Sequence, residues 1–175
     1  ASSNVDDNTI EQSTLGGIVL QLDADASVSG NTIIEPGVAG LSLWSGSSAQ
    51  IIGNSISLVS TVGIFDYATQ ETVPHAFGIL VDGDHPKGKI YLAGNLVTSC
   101  EMAGILIHDN GPEEVLFGEG NHVAGNADCG IALESGAEAI AEAQDLESLI
   151  SFSSPDDGLE GNGPTGSENV VIDTS

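Results

Sequence analysis

The sequence has no arginine and only two lysines, Lys87 and Lys89, against 26 acidic residues in 175, a formal net charge of −24. So anionic a surface repels phosphate backbones and anionic bilayers, which excludes nucleic-acid recognition and attachment to membranes through basic patches. Aromatic residues are equally scarce, at 4% with a single Trp. A core must then be built from Val, Ile, Leu and Ala, and at 40% hydrophobic residues the chain has enough of them for one domain. No apolar run reaches the ~20 residues of a membrane helix, so no membrane insertion is expected. The two cysteines, Cys100 and Cys129, fit neither a zinc nor a CxxC redox spacing. With neither an initiator Met nor a signal segment, Ala1 reads as a processed or excised start.

What is abundant is glycine, 23 residues of it, and a repeat. An Asn is followed nine positions later by a Gly and then an apolar residue in five places: Asn8/Gly17, Asn31/Gly40, Asn54/Gly63, Asn95/Gly104 and Asn121/Gly130. Successive Asn residues are separated by 23, 23, 41 and 26 positions, and four of the five follow a Gly. A period of about 23 residues is one turn of a solenoid of short strands, none of which buries its apolar face without neighbours. One strand follows each Asn, one follows each Gly, and a third precedes the next Asn, as in Ala49-Gln50-Ile51-Ile52. Alternation points Ile18, Leu20, Leu41, Leu43, Ile105, Ile107, Ile131 and Leu133 inward and Leu106 outward. Stacked Asn8, Asn31, Asn54, Asn95 and Asn121 can hydrogen-bond to one another, since an amide both donates and accepts. The Gly before the second strand is expected to let the chain bend sharply.

The words GNTI, GNSI, GILV and GILI, spread over roughly residues 5–135, resemble the right-handed parallel β-helix repeat family of bacterial surface and periplasmic proteins. That family includes NosD-like carbohydrate-binding and sugar-hydrolase repeat domains and polysaccharide lyases. The resemblance implies an all-β right-handed parallel β-helix and a secreted, periplasmic or cell-surface location. The catalytic words of the pectate-lyase, polygalacturonase and alginate-epimerase types cannot be carried over: the chain has no Arg and no Asp-Pro-His-Glu word.

Stacking turns matching positions into columns. Four residues after the second-strand glycines lie Gln21, Trp44, Asp82, His108 and Glu134, if Gly78 supplies the third coil's strand. Trp44 with Asp82, His108 and Glu134 forms a candidate sugar-binding row, the ring stacking on a sugar and the polar groups accepting hydroxyl protons. Asp82 with Asp84 or Asp109 is a candidate calcium site, although the Asp82-Gly83-Asp84-His85 word lacks EF-hand spacing. The plain alternative for all of these is a solvated outer face. Cys100 and Cys129 fall on neighbouring coils, so a disulfide between them can form if the turns bulge enough to bring the Cα atoms within ~7 Å; two buried free thiols are the alternative. No cofactor beyond calcium is implied.

The 41-residue step holds an insertion, read as a loop near residues 66–76 projecting from coils that span 1–136. Residues 137–175 are expected to cap or flank the solenoid within the same domain. Ala137–Ile150 has strong helix formers, and Asn169–Ile172 reads as a last strand. An uncovered solenoid end is a sheet edge, so further coils or another chain are expected there, as in a larger protein or an oligomer joined through its ends. The expected role is a scaffold or binding module for glycan or a protein partner, without catalysis. A polysaccharide-active lyase, hydrolase or epimerase is the alternative.

Overall fold

The computed structural model describes residues 2–44, 46–66, 70–82, 88–108, 115–134, 140–141, 150–151, 162 and 170–172. Among these there is no helix: of nineteen strands, numbered in chain order, eighteen wind into a solenoid of three parallel sheets. Sheet I holds β3 (Gly16–Leu20), β6 (Val38–Trp44), β10 (Glu71–Asp82), β13 (Ile105–His108), β16 (Ile131–Glu134) and β19 (Val170–Ile172). Sheet II holds β1 (Ser2–Asp6), β4 (Asp25–Ser29), β7 (Ser48–Ile52), β11 (Ile90–Ala93), β14 (Val115–Phe117) and β17 (Ile140–Ala141). Sheet III holds β2 (Thr9–Glu11), β5 (Thr32–Ile34), β8 (Ser55–Ser57), β12 (Leu96–Thr98), β15 (Asn121–Ala124) and β18 (Ile150–Ser151). Each coil contributes one strand to each sheet, so like residues sit over like at the ~4.8 Å strand spacing.

The interior is a set of aliphatic columns. Val28, Ile51, Leu92 and Phe117 stack in sheet II, and Ile33, Ile56, Val97 and Val123 in sheet III. In sheet I the predicted inward residues from Ile18 to Leu133 are all buried. At about 1.5–3 kcal/mol per buried side chain these columns are the main source of stability.

Two corners of each coil explain why the strands are so short. The residue before each ladder asparagine takes a positive φ: Asp7 (55°), Gly30 (64°), Gly53 (66°), Gly94 (63°) and Gly120 (81°). The residue four after it does the same: Gln12 (54°), Glu35 (53°), Leu58 (58°), Ser99 (56°) and Gly125 (65°). A single left-handed residue at each end turns the chain out of and back into sheet direction, leaving only a short strand between. The first corner accounts for the Gly-Asn words. The second is occupied mostly by non-glycine residues and leaves no mark in the sequence.

The glycine column of sheet I has a different cause from the bend expected of it. Gly17, Gly40, Gly78 and Gly104 do not have a positive φ; a Cβ on each would strike the inward side chain of sheet III one coil on, Ile33, Ile56, Val97 or Val123 respectively. The following residue also points inward, so alternation breaks here and two walls of the solenoid close to a distance that admits no side chain at the glycine.

The Asn54/Gly63 pair is not a regular unit. Gly63 lies in β9 (Val62–Asp66), which pairs antiparallel with the first half of β10, and Gly78 takes the coil's glycine position. In the second coil Gly37 and Val38 are adjacent, whereas their partners Ser60 and Ala76 bracket residues 61–75. The insertion is therefore a two-stranded arm rather than a loop over 66–76, and it leaves the corner between sheets III and I. Of the residues expected to form a helix, 137–150, only 140–141 and 150 are described, and these lie in strands paired with β14 and β15; β19 adds to β16, and the rest of the expected helix lies outside the described residues. The described part of the expected cap thus continues all three sheets, because the chance to extend three open ladders outweighs the helix propensity of Ala and Glu.

Candidate functional site

The five repeat asparagines form one continuous ladder. The backbone N–H and the Nδ2 of Asn8 both donate to Oδ1 of Asn31 (3.0 and 2.9 Å), and Asn31 does the same to Asn54 (3.0 and 2.9 Å). Asn54 donates to Asn95 (3.1 and 3.1 Å) and Asn95 to Asn121 (3.1 and 3.0 Å). The second Nδ2 proton of Asn31, Asn54, Asn95 and Asn121 goes back to the preceding coil, to the carbonyls of Val5, Val28, Ile51 and Leu92. Four of the five are fully buried and spend their polar capacity on one another and on turn backbone, which makes them architecture. A second, shorter ladder escaped the sequence reading. Cys100 N–H donates to Oδ1 of Asn126 (3.0 Å), and Nδ2 of Asn126 donates to Oδ1 of Asn162 (2.8 Å). Its signal was there in the Gly-Asn words at 125–126 and 161–162.

The predicted surface row is in register. Trp44 pairs with Asp82, Asp82 with His108, and His108 with Glu134, each the last residue of its strand in sheet I. Their neighbours Leu43, Val81, Ile107 and Leu133 point into the core, and alternation turns the four outward, each half-exposed. The row spans three strand steps, about 14 Å. His108 Nδ1 donates to Asp82 Oδ1 at 3.2 Å, with 38% and 28% of the two side chains exposed. Gln21 lies just past the end of β3, exposed and outside the paired register.

Beside the row the outer face of sheet I is apolar. Leu80 and Leu106 point away from the core as alternation requires, yet are only 2% and 6% exposed. They pack in a second cluster with Phe77, Ala103, Cys129 and Ala132, and Trp44 rests against it. That cluster also decides the cysteines. Cys100 belongs to the inner core and Cys129 to the outer cluster, so the wall of the solenoid separates them. Both are buried thiols, and the disulfide is not formed. Burial pushes the Cys100 thiol up to about 12, against smaller lowering by backbone hydrogen bonds at Val59 and Gly78.

Asp84 and Asp109, the other members of the candidate calcium site, lie outside the described residues. Among the described residues no three His, Cys, Asp or Glu side chains are grouped so as to hold a metal ion. No described helix is long and apolar enough to cross a membrane.

Two shallow grooves lie elsewhere on the described surface. One, of about 560 Å³, runs over the outer face of sheet II past Ser27, Gln50, Lys89, Tyr91 and Leu116. The other, of about 540 Å³, follows the second corner past Gln12, Glu35, Ser60, Ser99 and Glu101. There the Glu101 carboxylate accepts the Thr61 N–H at 2.7 Å, and this bond, with a further one from the Thr61 side chain, holds its pKa below the usual range. Neither groove pairs an imidazole with a carboxylate as the Trp44 row does.

No curated protein and no solved structure matches the chain. One family model does, that of the right-handed β-helix region, over residues 1–145. With the parallel three-sheet winding and the unbroken asparagine ladder, that match identifies the chain as a member of the right-handed β-helix family.

Proposed function

We propose that the chain is a non-catalytic extracellular or cell-surface binding module and scaffold, and that its ligand is a glycan held along the outer edge of sheet I. The observation that carries this reading is the register of Trp44, Asp82, His108 and Glu134. A flat ring followed by three hydrogen-bonding side chains at strand spacing meets a linear chain of sugars, which offers apolar ring faces and hydroxyl groups in regular alternation. The apolar strip behind the row holds Trp44 in place before the ligand arrives, which lowers the ordering cost of binding. A net charge of −24 keeps such a module soluble and suits an exported protein. The charge favours neutral glycans; acidic ones would need calcium as a bridge, for which Asp82, with Asp84 or Asp109, is the candidate.

The second reading, a polysaccharide-active enzyme, is favoured by one observation: the 3.2 Å hydrogen bond between His108 and Asp82, the arrangement of a general base with its orienting carboxylate. One experiment separates the two. Neutral and acidic polysaccharides are incubated with the protein, with and without calcium, and both retention and chain length are measured. The binding module retains a glycan and leaves its length unchanged, and Trp44→Ala weakens retention about tenfold, the loss of a stacked aromatic contact. Shortened chains, abolished by His108→Gln, would establish the enzyme instead. Retention indifferent to Trp44→Ala would remove the proposed surface.

A further inference from the structure

The groove over sheet II holds Lys89, the one Lys or Arg among the described residues of a chain whose net charge is −24. Two outward columns form it. The first runs Ser2, Asp25, Ser48 in paired register, and Lys89 continues it, since Ile90 pairs with Ala49. The second runs Ser27, Gln50, Tyr91, Leu116. Between the columns Ala26, Ala49 and Ile90 are buried in the core, and alternation turns their neighbours outward. From β1 to β14 the groove crosses four strand steps, about 19 Å along the solenoid, and its volume of about 560 Å³ is that of a small-ligand site.

Tyr91 is seated before any ligand arrives. Gly118, on the next coil, does not have a positive φ, so no turn demands glycine there; a Cβ at that position would strike the Tyr91 hydroxyl and ring. The glycine lets the half-buried ring settle across the coil, which lowers the ordering cost of stacking on it. Ser48 Oγ accepts the Lys89 N–H at 3.1 Å, which fixes the start of β11 and leaves the hydroxyl proton to be donated. Lys89 and Gln50 are exposed, and among the described residues no carboxylate lies within ion-pair distance of the Lys89 ammonium. A single ammonium is matched by a single anionic group. The charge of the whole chain opposes a polyanion, and Asp25, two strand steps or about 10 Å from Lys89 in the same column, opposes a second anionic group there. A flat ring beside hydroxyls and an amide suits a sugar, whose ring face lies on Tyr91 and whose hydroxyls meet Ser27, Gln50 and Asp25. A peptide fits less well: β4, β7, β11 and β14 each have a strand on both sides, so this face offers no free backbone edge.

We propose that the sheet II groove is a separate binding site, for a largely neutral oligosaccharide that carries one carboxylated sugar. Lys89 takes the carboxylate, Tyr91 takes the face of a ring, and Ser27, Gln50 and Asp25 take hydroxyl groups. Calcium is not needed here, because the positive charge belongs to the protein. The groove lies on a different sheet from the Trp44 row and does not depend on the reading given to that row.

The test uses ¹⁵N-labelled protein in the presence of EDTA and four sugars: 3′-sialyllactose and glucuronosyl-lactose, each with one carboxylate, lactose with none, and trigalacturonic acid with three. The expected result is saturable binding of at least one monocarboxylated sugar, with amide shifts concentrated at residues 25–27, 48–50 and 89–91. Lactose and trigalacturonic acid bind about tenfold more weakly, the loss of one charge-assisted contact. Lys89→Gln brings the monocarboxylated sugar down to the level of lactose and leaves lactose unchanged, whereas Lys89→Arg keeps the preference. Tyr91→Leu, its fold checked by circular dichroism, weakens both about tenfold, and Trp44→Ala changes neither. The proposal is overturned if neither monocarboxylated sugar produces shifts at millimolar concentration, if the shifts lie outside the groove, or if lactose or trigalacturonic acid binds as tightly. It is also overturned if Lys89→Gln, still folded, keeps the preference, or if Trp44→Ala removes the binding.

Discussion

Replacing Asn95 by Ala probes the ladder where it is most enclosed. Asn95 is 1% exposed, and its side chain makes four hydrogen bonds: two accepted from Asn54, one donated to Ile51 O and one to Asn121 Oδ1. Not all of these partners are orphaned by the substitution. Asn54 Nδ2 keeps its bond to Val28 O, and Asn121 Oδ1 keeps the backbone N–H of residue 95. The Asn54 backbone N–H loses the acceptor shown for it, at a cost of about 1–3 kcal/mol for a buried unsatisfied donor, and the remaining bonds add about 0.5–1 kcal/mol each. Asn95→Ala should therefore destabilise the protein by about 3–5 kcal/mol. Asn8→Ala is the matched control. Its side chain only donates, to Asn31 Oδ1 and Asp6 O, and it is exposed, so the cost should be about 1 kcal/mol or less. Urea unfolding followed by circular dichroism gives both numbers, provided that the slope of the transition is unchanged between variants. If Asn95→Ala cost no more than Asn8→Ala, the ladder would be a consequence of the stacking and not a cause of its stability.

Other expectations follow from the corners, the buried thiol and Glu101. Leu58 holds a φ of 58° while 48% exposed, so Leu58→Gly should stabilise by about 0.5–1 kcal/mol; Gly53→Ala, where a Cβ meets nothing but φ is 66°, should cost about 1 kcal/mol, and equal melting temperatures for all three proteins would contradict the strain argument. Unfolding in the absence of reductant should release two titratable thiols, and finding none would mean that a bridge exists. Because the Cys100 thiol is raised to about 12, its contribution is complete below the ordinary thiol pKa near 9.0 and is lost as pH rises from there toward 12. Wild type should then lose about 2 kcal/mol more than Cys100→Ala between pH 8 and 10.5, and parallel pH profiles would refute this. The lowered Glu101 carboxyl contributes above its unfolded pKa and stops doing so as pH falls through its folded one, so the Thr61 amide resonance should titrate below the usual glutamate range, and should not titrate in Glu101→Gln.

How far the fold was legible depended on whether a position needs one residue type. The inward columns and the Trp44–Asp82–His108–Glu134 register could be read because a glycine recurs at one position of sheet I, sterically obligatory at Gly17, Gly40, Gly78 and Gly104, and counting from it fixes the positions that follow. The same counting failed at Gly63, where a nine-residue spacing from Asn54 recurs by accident inside the arm. The second corner was invisible because Gln12, Glu35, Leu58 and Ser99 tolerate a left-handed backbone without announcing it. Asn126 and Asn162 were legible in principle but too far apart to form a visible period, at 36 positions. The helix expected at 137–150 rested on intrinsic propensity, which at the described residues 140–141 and 150 is too weak to resist pairing with β14 and β15. The separation of Cys100 from Cys129 depended on which face of the wall each occupies, and their spacing carries no sign of that.

Each asparagine-to-asparagine bond of the long ladder runs in one direction along the solenoid, from the amide of the earlier coil to the Oδ1 of the later. The column is therefore a polar wire with unlike terminals, and its first member, Asn8, presents a carbonyl oxygen. Two such terminals brought face to face would set oxygen against oxygen with no proton between them. A two-fold contact that stacks one Asn8 face on another is therefore disfavoured.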